Sequence, residues 1–220
     1  MKALLLDVGG VVFRSGSEML ALLGEREPTT RSVTARRGPL GPEPDPDWER
    51  MLRGEVTERG YWALRAAEIG AVLGRADWST HEFMVELYEQ PGVEIIRPVA
   101  RRLVADARAG GLRLGVLTND LAAFHGDGPL GDLSALGDVD VLVDGSVTGI
   151  LKPDPRSYAA AIDGLGVAPG EIVFVDDMPW NVEGGRAAGL HAVQLDLRDP
   201  DAAFTQARSA LGLAPLGSAQ

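Results

Sequence analysis

Three unbroken apolar runs, each ending in residues that carry side-chain oxygen, constrain this chain most. Ala3-Leu4-Leu5-Leu6 leads straight into Asp7-Val8-Gly9-Gly10, Leu112 to Leu117 stops at Thr118-Asn119-Asp120, and Ile172 to Val175 stops at Asp176-Asp177. A strand buried on both faces has no polar alternation, so runs of this kind predict central strands of a parallel sheet. Ligands of such sheets bind beyond the carboxyl ends of the strands. The oxygen-bearing ends of the three runs therefore mark the expected site.

Segments with helical spacing separate the runs, at Pro98 to Ala109, Pro155 to Leu165 and Asn181 to Ala188, each closed by glycine soon afterwards. Shorter apolar runs at Val139 to Val143 and Ala192 to Leu195 extend the alternation, and Ala202 to Leu213 again has helical periodicity. The expected fold class is α/β, with a Rossmann-like, doubly wound parallel sheet as its core. Between the first strand and Pro98 lie about eighty residues without a strand signal, too many for a plain loop in a compact domain. Apolar residues at helical spacing in Met19 to Leu23, Trp48 to Leu52, Tyr61 to Leu73 and Trp78 to Tyr88 predict a small inserted helical cap. The expected organisation is a core of residues 1–14 and 98–220 around an insertion of 15–97. A mobile Pro- and Gly-rich segment is expected near Gly38 to Asp47.

With 220 residues, 45% of them hydrophobic and 24% charged, the chain is long enough to bury a full core. A net charge of -11 argues against nucleic acid, whose phosphates call for clustered Lys and Arg. The stretch Arg26 to Arg37 is the local exception, and crowding by Pro and Gly makes a solvated loop its first reading, with substrate gating as the second. Cysteine is absent, which removes disulfides, thiolate ligands and cysteine nucleophiles. No stretch reads as a signal peptide or as a membrane span, so the expected location is cytoplasmic and no membrane partner is expected.

Carboxylates gathered at strand ends raise each other's pKa unless positive charge neutralises them. Asp7, Asp176 and Asp177 offer hard oxygen ligands suited to Mg2+, which would also let an anionic nucleophile approach an anionic phosphate. Taken singly, each element has an ordinary reading. Asp7 before glycine suits a turn, Thr118 and Asn181 suit helix caps, and Lys152 before Pro153 suits a solvated turn.

Together, the order of these elements resembles the haloacid dehalogenase-like superfamily over nearly the whole chain. Asp7-Val8-Gly9-Gly10-Val11-Val12 is similar to its first motif, Leu117-Thr118-Asn119 to its second and Leu151-Lys152-Pro153-Asp154 to its third. Val175-Asp176-Asp177-Met178-Pro179-Trp180-Asn181-Val182 is similar to its fourth. The last two, with Gly189, resemble the branch holding small sugar-phosphate phosphatases and epoxide-hydrolase phosphatase domains. The resemblance implies a magnesium-dependent phosphohydrolase acting on a small-molecule phosphate ester, as a monomer or homodimer. It makes Asp7 the nucleophile that forms an aspartyl-phosphate, and sets Thr118 and Asn119 on the phosphoryl oxygens with Lys152 neutralising charge. Asp177 would bind Mg2+ directly, Asp176 through water or as a partner of Lys152, and the Gly9 carbonyl as a further ligand.

One position departs from the pattern. Most phosphatases of the superfamily carry an acidic general acid two residues after the nucleophile, where this chain has Gly9. Three explanations stand: another group or a good leaving group compensates, with Asp120 and His125 as the nearest candidates; the reaction is carbon-halide hydrolysis by a dehalogenase; or the domain binds without catalysing. His125 also reads as a loop histidine, and His81 and His191 give no comparable hint. In the insertion, Trp48, Tyr61, Trp62, Trp78 and Tyr88 read first as its own core and second as a substrate-facing surface.

Overall fold

The computed structural model describes residues 1–126, 131 and 133–215. The expected core segment 98–220 also includes 127–130, 132 and 216–220, which lie outside the described residues. Contacts divide the chain into two compact units, Met1–Arg14 with Glu94–Gln220, and Ser15–Val93.

Among the described residues, the first unit is built on five strands: β1 (Ala3–Leu6), β2 (Arg113–Thr118), β3 (Val141–Asp144), β4 (Ile172–Asp176) and β5 (His191–Gln194), in the order β3-β2-β1-β4-β5. Every pairing is parallel. All four residues of β1 are buried, as its unbroken apolar run requires. Alternate residues feed opposite layers. Ala3, Leu5, Leu117, Ile172 and Phe174 pack with Tyr158, Ala161 and Leu165 of the Pro155–Leu165 helix. On the other side, the Pro98–Ala109 and Pro200–Leu211 helices pack on each other and on β2 and β4 respectively. The sheet is thus doubly wound. Strand ends shift by one or two residues from the expected limits, because pairing extends to wherever a partner strand still runs alongside.

The order places a switch at β1, which has β2 on one side and β4, reached by a long crossover, on the other. Leu6 pairs with both Val116 and Val175, and the Asp7 N–H donates to the Val175 carbonyl at 3.0 Å. Asp7 and Asp176 therefore leave neighbouring strands at one level, beside the switch point where ligands of open sheets bind.

The core resumes at residue 94 rather than 98. Phe13 and Ile96 form an antiparallel bridge, flanked by hydrogen bonds from Arg14 N–H to the Ile95 carbonyl and from Arg97 N–H to the Val12 carbonyl, both 2.8 Å. These bonds bind residues 94–97 to the core, although the segment has no periodicity of its own.

Within the inserted unit, the helices Gly16–Arg26, Pro46–Leu52, Glu58–Val72 and Thr80–Tyr88 carry the apolar pattern, and capping boxes at Ser15/Glu18 and Ser79/Glu82 start the first and last. Tyr61, Trp62 and Tyr88 are buried, and Trp48, Tyr61 and Trp62 stack edge to face in series. In the Gly38 to Asp47 segment, buried Asp45 accepts from Gly38 N–H, Trp48 N–H and the Tyr61 hydroxyl at 2.9, 3.1 and 2.8 Å. One expectation is corrected here. The Arg26 to Arg37 stretch is not a solvated loop. It forms a 3-10 turn at Pro28–Thr30 and a short helix at Arg31–Thr34, and its arginines bond to Glu86, to Glu68 and to the Gly24 and Thr34 carbonyls. Among the described residues, no helix is long and apolar enough to cross a membrane.

Candidate active site

The carboxyl ends of β1 and β4 bring the site together. Lys152, in the loop before the Pro155–Leu165 helix, inserts its ammonium between them: Nζ lies 2.9 Å from Asp7 Oδ1 and 2.6 Å from Asp176 Oδ2. All three residues are buried, so this network is drawn from a low-dielectric interior where each partner matters. Asp7 Oδ1 also accepts from the Val8 N–H at 2.7 Å, and Asp176 Oδ1 accepts from Met178 N–H at 2.9 Å and Asn181 Nδ2 at 3.1 Å.

Burial pushes the Asp7 carboxyl up to about 7, against the lowering pull of Lys152 and with further upward pressure from Asp176. For Lys152, burial alone disfavours the charged form, but Asp176 and Asp7 outweigh it, and its pKa is raised above the ordinary lysine value. The lysine therefore stays cationic at neutral pH, while Asp7 without further positive charge is poised between its two forms.

Asp177 adds a third carboxylate: ligand oxygens of Asp7, Asp176 and Asp177 all lie within 4.8 Å of one another. The turn after Asp7 is shaped to admit it. Gly10 has φ +74°, and a Cβ there would sit 2.5 Å from Asp177 Oδ2, so only glycine permits both the turn and the approach. Asn181 supplies a further sign that the site is built for more than protein atoms. Its Oδ1 is buried without a hydrogen-bond partner among the described residues, while its Nδ2 is committed to Asp176, which fixes the amide's orientation. Three hard carboxylates and an unsatisfied amide oxygen suit a hydrated divalent cation.

The remaining candidate residues are placed by their own elements. Thr118 is buried at the end of β2, in register with Asp144. Asn119 turns its carboxamide to the backbone of Lys152, accepting its N–H at 2.7 Å and donating to its carbonyl at 3.3 Å. Gly9 is exposed directly after Val8, with φ -63° and ψ 130°, and, chain neighbours aside, no atom of the described residues lies within 4 Å of where a Cβ would stand. Asp120 is buried at the start of the Leu121–His125 helix, and His125 packs edge-on against Phe13 at 5.5 Å. His191 begins β5 and so lies at the amino end of the sheet, opposite the site; His81 belongs to the inserted unit.

Two ordinary readings of single residues do not hold. Asn181 caps nothing, because its helix begins at Pro179 and places it a turn inside, facing back to Asp176. Lys152 is 4% exposed, not a solvated turn residue. One residue escaped the motif reading altogether: buried Arg97, whose Nε donates to the Gly10 carbonyl at 3.1 Å. Its trace in the sequence is an arginine set between the apolar pair Ile95-Ile96 and Pro98.

A family model for haloacid dehalogenase-like hydrolases matches residues 1–189. The chain is 41% identical over 100 residues to Phosphatase MT3486 of Mycobacterium tuberculosis, covering 45% of this chain and 46% of that protein. It is 36% identical over 159 residues to phosphoserine phosphatase of Thermus thermophilus, covering 70% and 58%, and 28% identical over 156 residues to (S)-2-haloacid dehalogenase 1 of a Pseudomonas species, covering 68% and 65%. It thus spans less than two thirds of the length of each of these relatives. The L-2-haloacid dehalogenase of Xanthobacter autotrophicus shares the fold, with a TM-score of 0.53 at 21% identity over 89% of this chain and 77% of that one. With the motifs assembled at the strand ends and the model spanning most of its length, the chain belongs to the haloacid dehalogenase-like hydrolases and is an enzyme of that family.

Proposed function

We propose that this hydrolase cleaves small phosphomonoesters, with Mg2+, through an aspartyl-phosphate on Asp7. The observation that carries the reading is the carboxylate set around Lys152: Asp7 and Asp176 share its ammonium, and Asp177 comes within 4.8 Å of both. Displacing halide from carbon needs one carboxylate nucleophile, and further acids beside it only make that anion harder to maintain. A site for a divalent cation and a phosphoryl group turns the same acids to use. Among the relatives, proteins named as phosphatases match at 41% over 100 residues and 36% over 159, and named dehalogenases at 28% over 156 and 43% over only 47, so the longer matches at higher identity support the same choice.

In this reading Asp7 attacks phosphorus, its new O–P bond forming as the bond to the leaving alkoxide breaks. Lys152 neutralises charge on the carboxylate and on the transferring group, and the Thr118 hydroxyl donates to a phosphoryl oxygen. Asn119 acts through Lys152, whose backbone it fixes. Water then attacks the phosphorus of the acylphosphate, releasing inorganic phosphate and restoring the Asp7 carboxylate. Asp7, Asp177, the Gly9 carbonyl and, through water, Asp176 would hold Mg2+. When bound, the ion supplies the positive charge that lets an anionic nucleophile meet an anionic ester. Gly9 offers no proton, so the leaving alkoxide takes one from water, and esters with acidic leaving groups turn over best.

The test is phosphate release from an activated aryl phosphate and a panel of sugar phosphates, with and without Mg2+, by the wild type and Asp7→Asn. Release that needs both Mg2+ and Asp7 is expected. Metal-independent halide release from 2-haloacids, with no phosphate release, would replace this reading with carbon-halide hydrolysis.

A further inference from the structure

The geometry points to Arg97 as a positioning residue for the metal-binding carboxylates, an inference that rests on the magnesium reading above. Arg97 stands 87 positions from Gly10 in the chain, yet its Nε donates to the Gly10 carbonyl at 3.1 Å in a buried setting. An arginine is costly to bury, and its rigid guanidinium plane aims the Nε–H at one acceptor in one place. What it holds is the residue that faces Asp177.

Gly10 occupies a left-handed conformation, φ +74°, with its Cα close enough to Asp177 that a methyl group would meet Oδ2 at 2.5 Å. A shift of the Gly10 peptide therefore moves the surface against which the Asp177 carboxylate rests. The same peptide follows Gly9, two residues after Asp7. Glycines at 9 and 10 make this turn the softest part of the site, since neither side chain restricts the backbone. Arg97 counters that softness at both of its levels: the guanidinium grips the Gly10 carbonyl, and the Arg97 N–H bonds the Val12 carbonyl at 2.8 Å where the turn ends.

The role is that of an outer partner that orients ligand groups without touching the ion. Asp7 and Asp177 are spaced by the turn that Arg97 clamps, so loosening the clamp costs metal affinity before it costs the fold. Arg97 also ends the segment 94–97 that ties the returning chain to the core, directly before the Pro98–Ala109 helix. The residue that closes the crossover thus also sets the turn beside the nucleophile.

The experiment compares the full chain with Arg97→Met and Arg97→Lys, and uses Arg101→Met as control, because Arg101 pairs with Glu94 at the surface. Mg2+ dissociation constants are measured by titration calorimetry at a temperature well below each melting point, without substrate. Loss of an outer-shell partner predicts that Arg97→Met binds Mg2+ about 10-fold or more weakly. Arg101→Met is expected to bind as the wild type does. Arg97→Lys, which keeps the charge but not the fork, is expected between the two.

A purely structural role would lower the melting point and leave the dissociation constant in place. Wild-type-like affinity in folded Arg97→Met overturns the proposal while the magnesium reading stands. Should Arg97→Met fail to fold, Arg97→Lys decides, and unchanged affinity there overturns it equally. A wild type that binds no Mg2+ under these conditions removes the metal reading and this role with it.

Discussion

Asn119 spends both ends of its carboxamide on the backbone of Lys152, accepting the N–H at 2.7 Å and donating to the carbonyl at 3.3 Å. Two loops that leave different strands are thereby locked together at the residue whose ammonium joins Asp7 to Asp176. The asparagine beside Thr118 thus bears on the nucleophile indirectly, through the lysine.

Asn119→Ala should leave the Lys152 loop free to shift while keeping every charged group of the site. A misplacement of about 1 Å can cost about 10²-fold in rate, so kcat should fall by one to two orders of magnitude with the protein still folded. Steady-state kinetics on an aryl phosphate, beside a thermal melt, checks this. An unchanged kcat would show that Lys152 holds its place without the amide.

Lys152→Met should be costly for stability as well as activity. It leaves Asp176, fully buried, and Asp7, 8% exposed, without their shared cation. Removing one partner of a buried ion pair typically costs about 3–5 kcal/mol. Adding Asp176→Asn should recover part of that loss, because the amide replaces a buried charge. Urea unfolding of the three proteins measures both terms, and a double variant no more stable than Lys152→Met would contradict the assignment.

Asp7→Asn should stabilise the metal-free protein, and more so at higher pH. The Asp7 carboxyl is raised by burial from 3.8 to about 7. The folded state thus favours its protonated form. Stability from this group is complete below its unfolded pKa and is lost as pH rises through about 7. The asparagine has no such loss. In buffer with EDTA, the variant's advantage in melting temperature should therefore be larger at pH 8 than at pH 5. A change of 1 kcal/mol corresponds to about 2–4 °C in a chain of this size, well within calorimetric resolution. An advantage that shrinks or reverses on going to pH 8 would show that Lys152 already holds Asp7 anionic.

Gly9→Asp should fold normally and gain activity on esters with poor leaving groups. The backbone there suits any L-residue, and, chain neighbours aside, no atom of the described residues stands within 4 Å of a new Cβ. A positioned general acid contributes about 10²–10⁴-fold where the leaving group needs a proton. The ratio of sugar phosphate to aryl phosphate rates should therefore rise. If both rates stay as they are, proton delivery is not what limits turnover.

The parallel core and the identity of its site-bearing ends follow from local pattern in the chain. Ala3–Leu6 and Ile172–Val175 are unbroken apolar runs because strands buried on both faces tolerate no polar alternation, and the acids that end them are local to the run. The helices of the inserted unit were legible from 3.6-residue spacing for the same local reason. Tertiary structure decided what those local signals do not encode. Asn119 meets Lys152 across 33 residues and Arg97 meets Gly10 across 87, so neither bond leaves a periodic trace. Asn181 reads as a cap until its helix is seen to begin at Pro179, and the bond from the Tyr61 hydroxyl to Asp45 has no local signal in the chain. Backbone pattern records which face of an element is buried, whereas hydrogen bonds between distant loops arise only once packing has brought their donors and acceptors within reach.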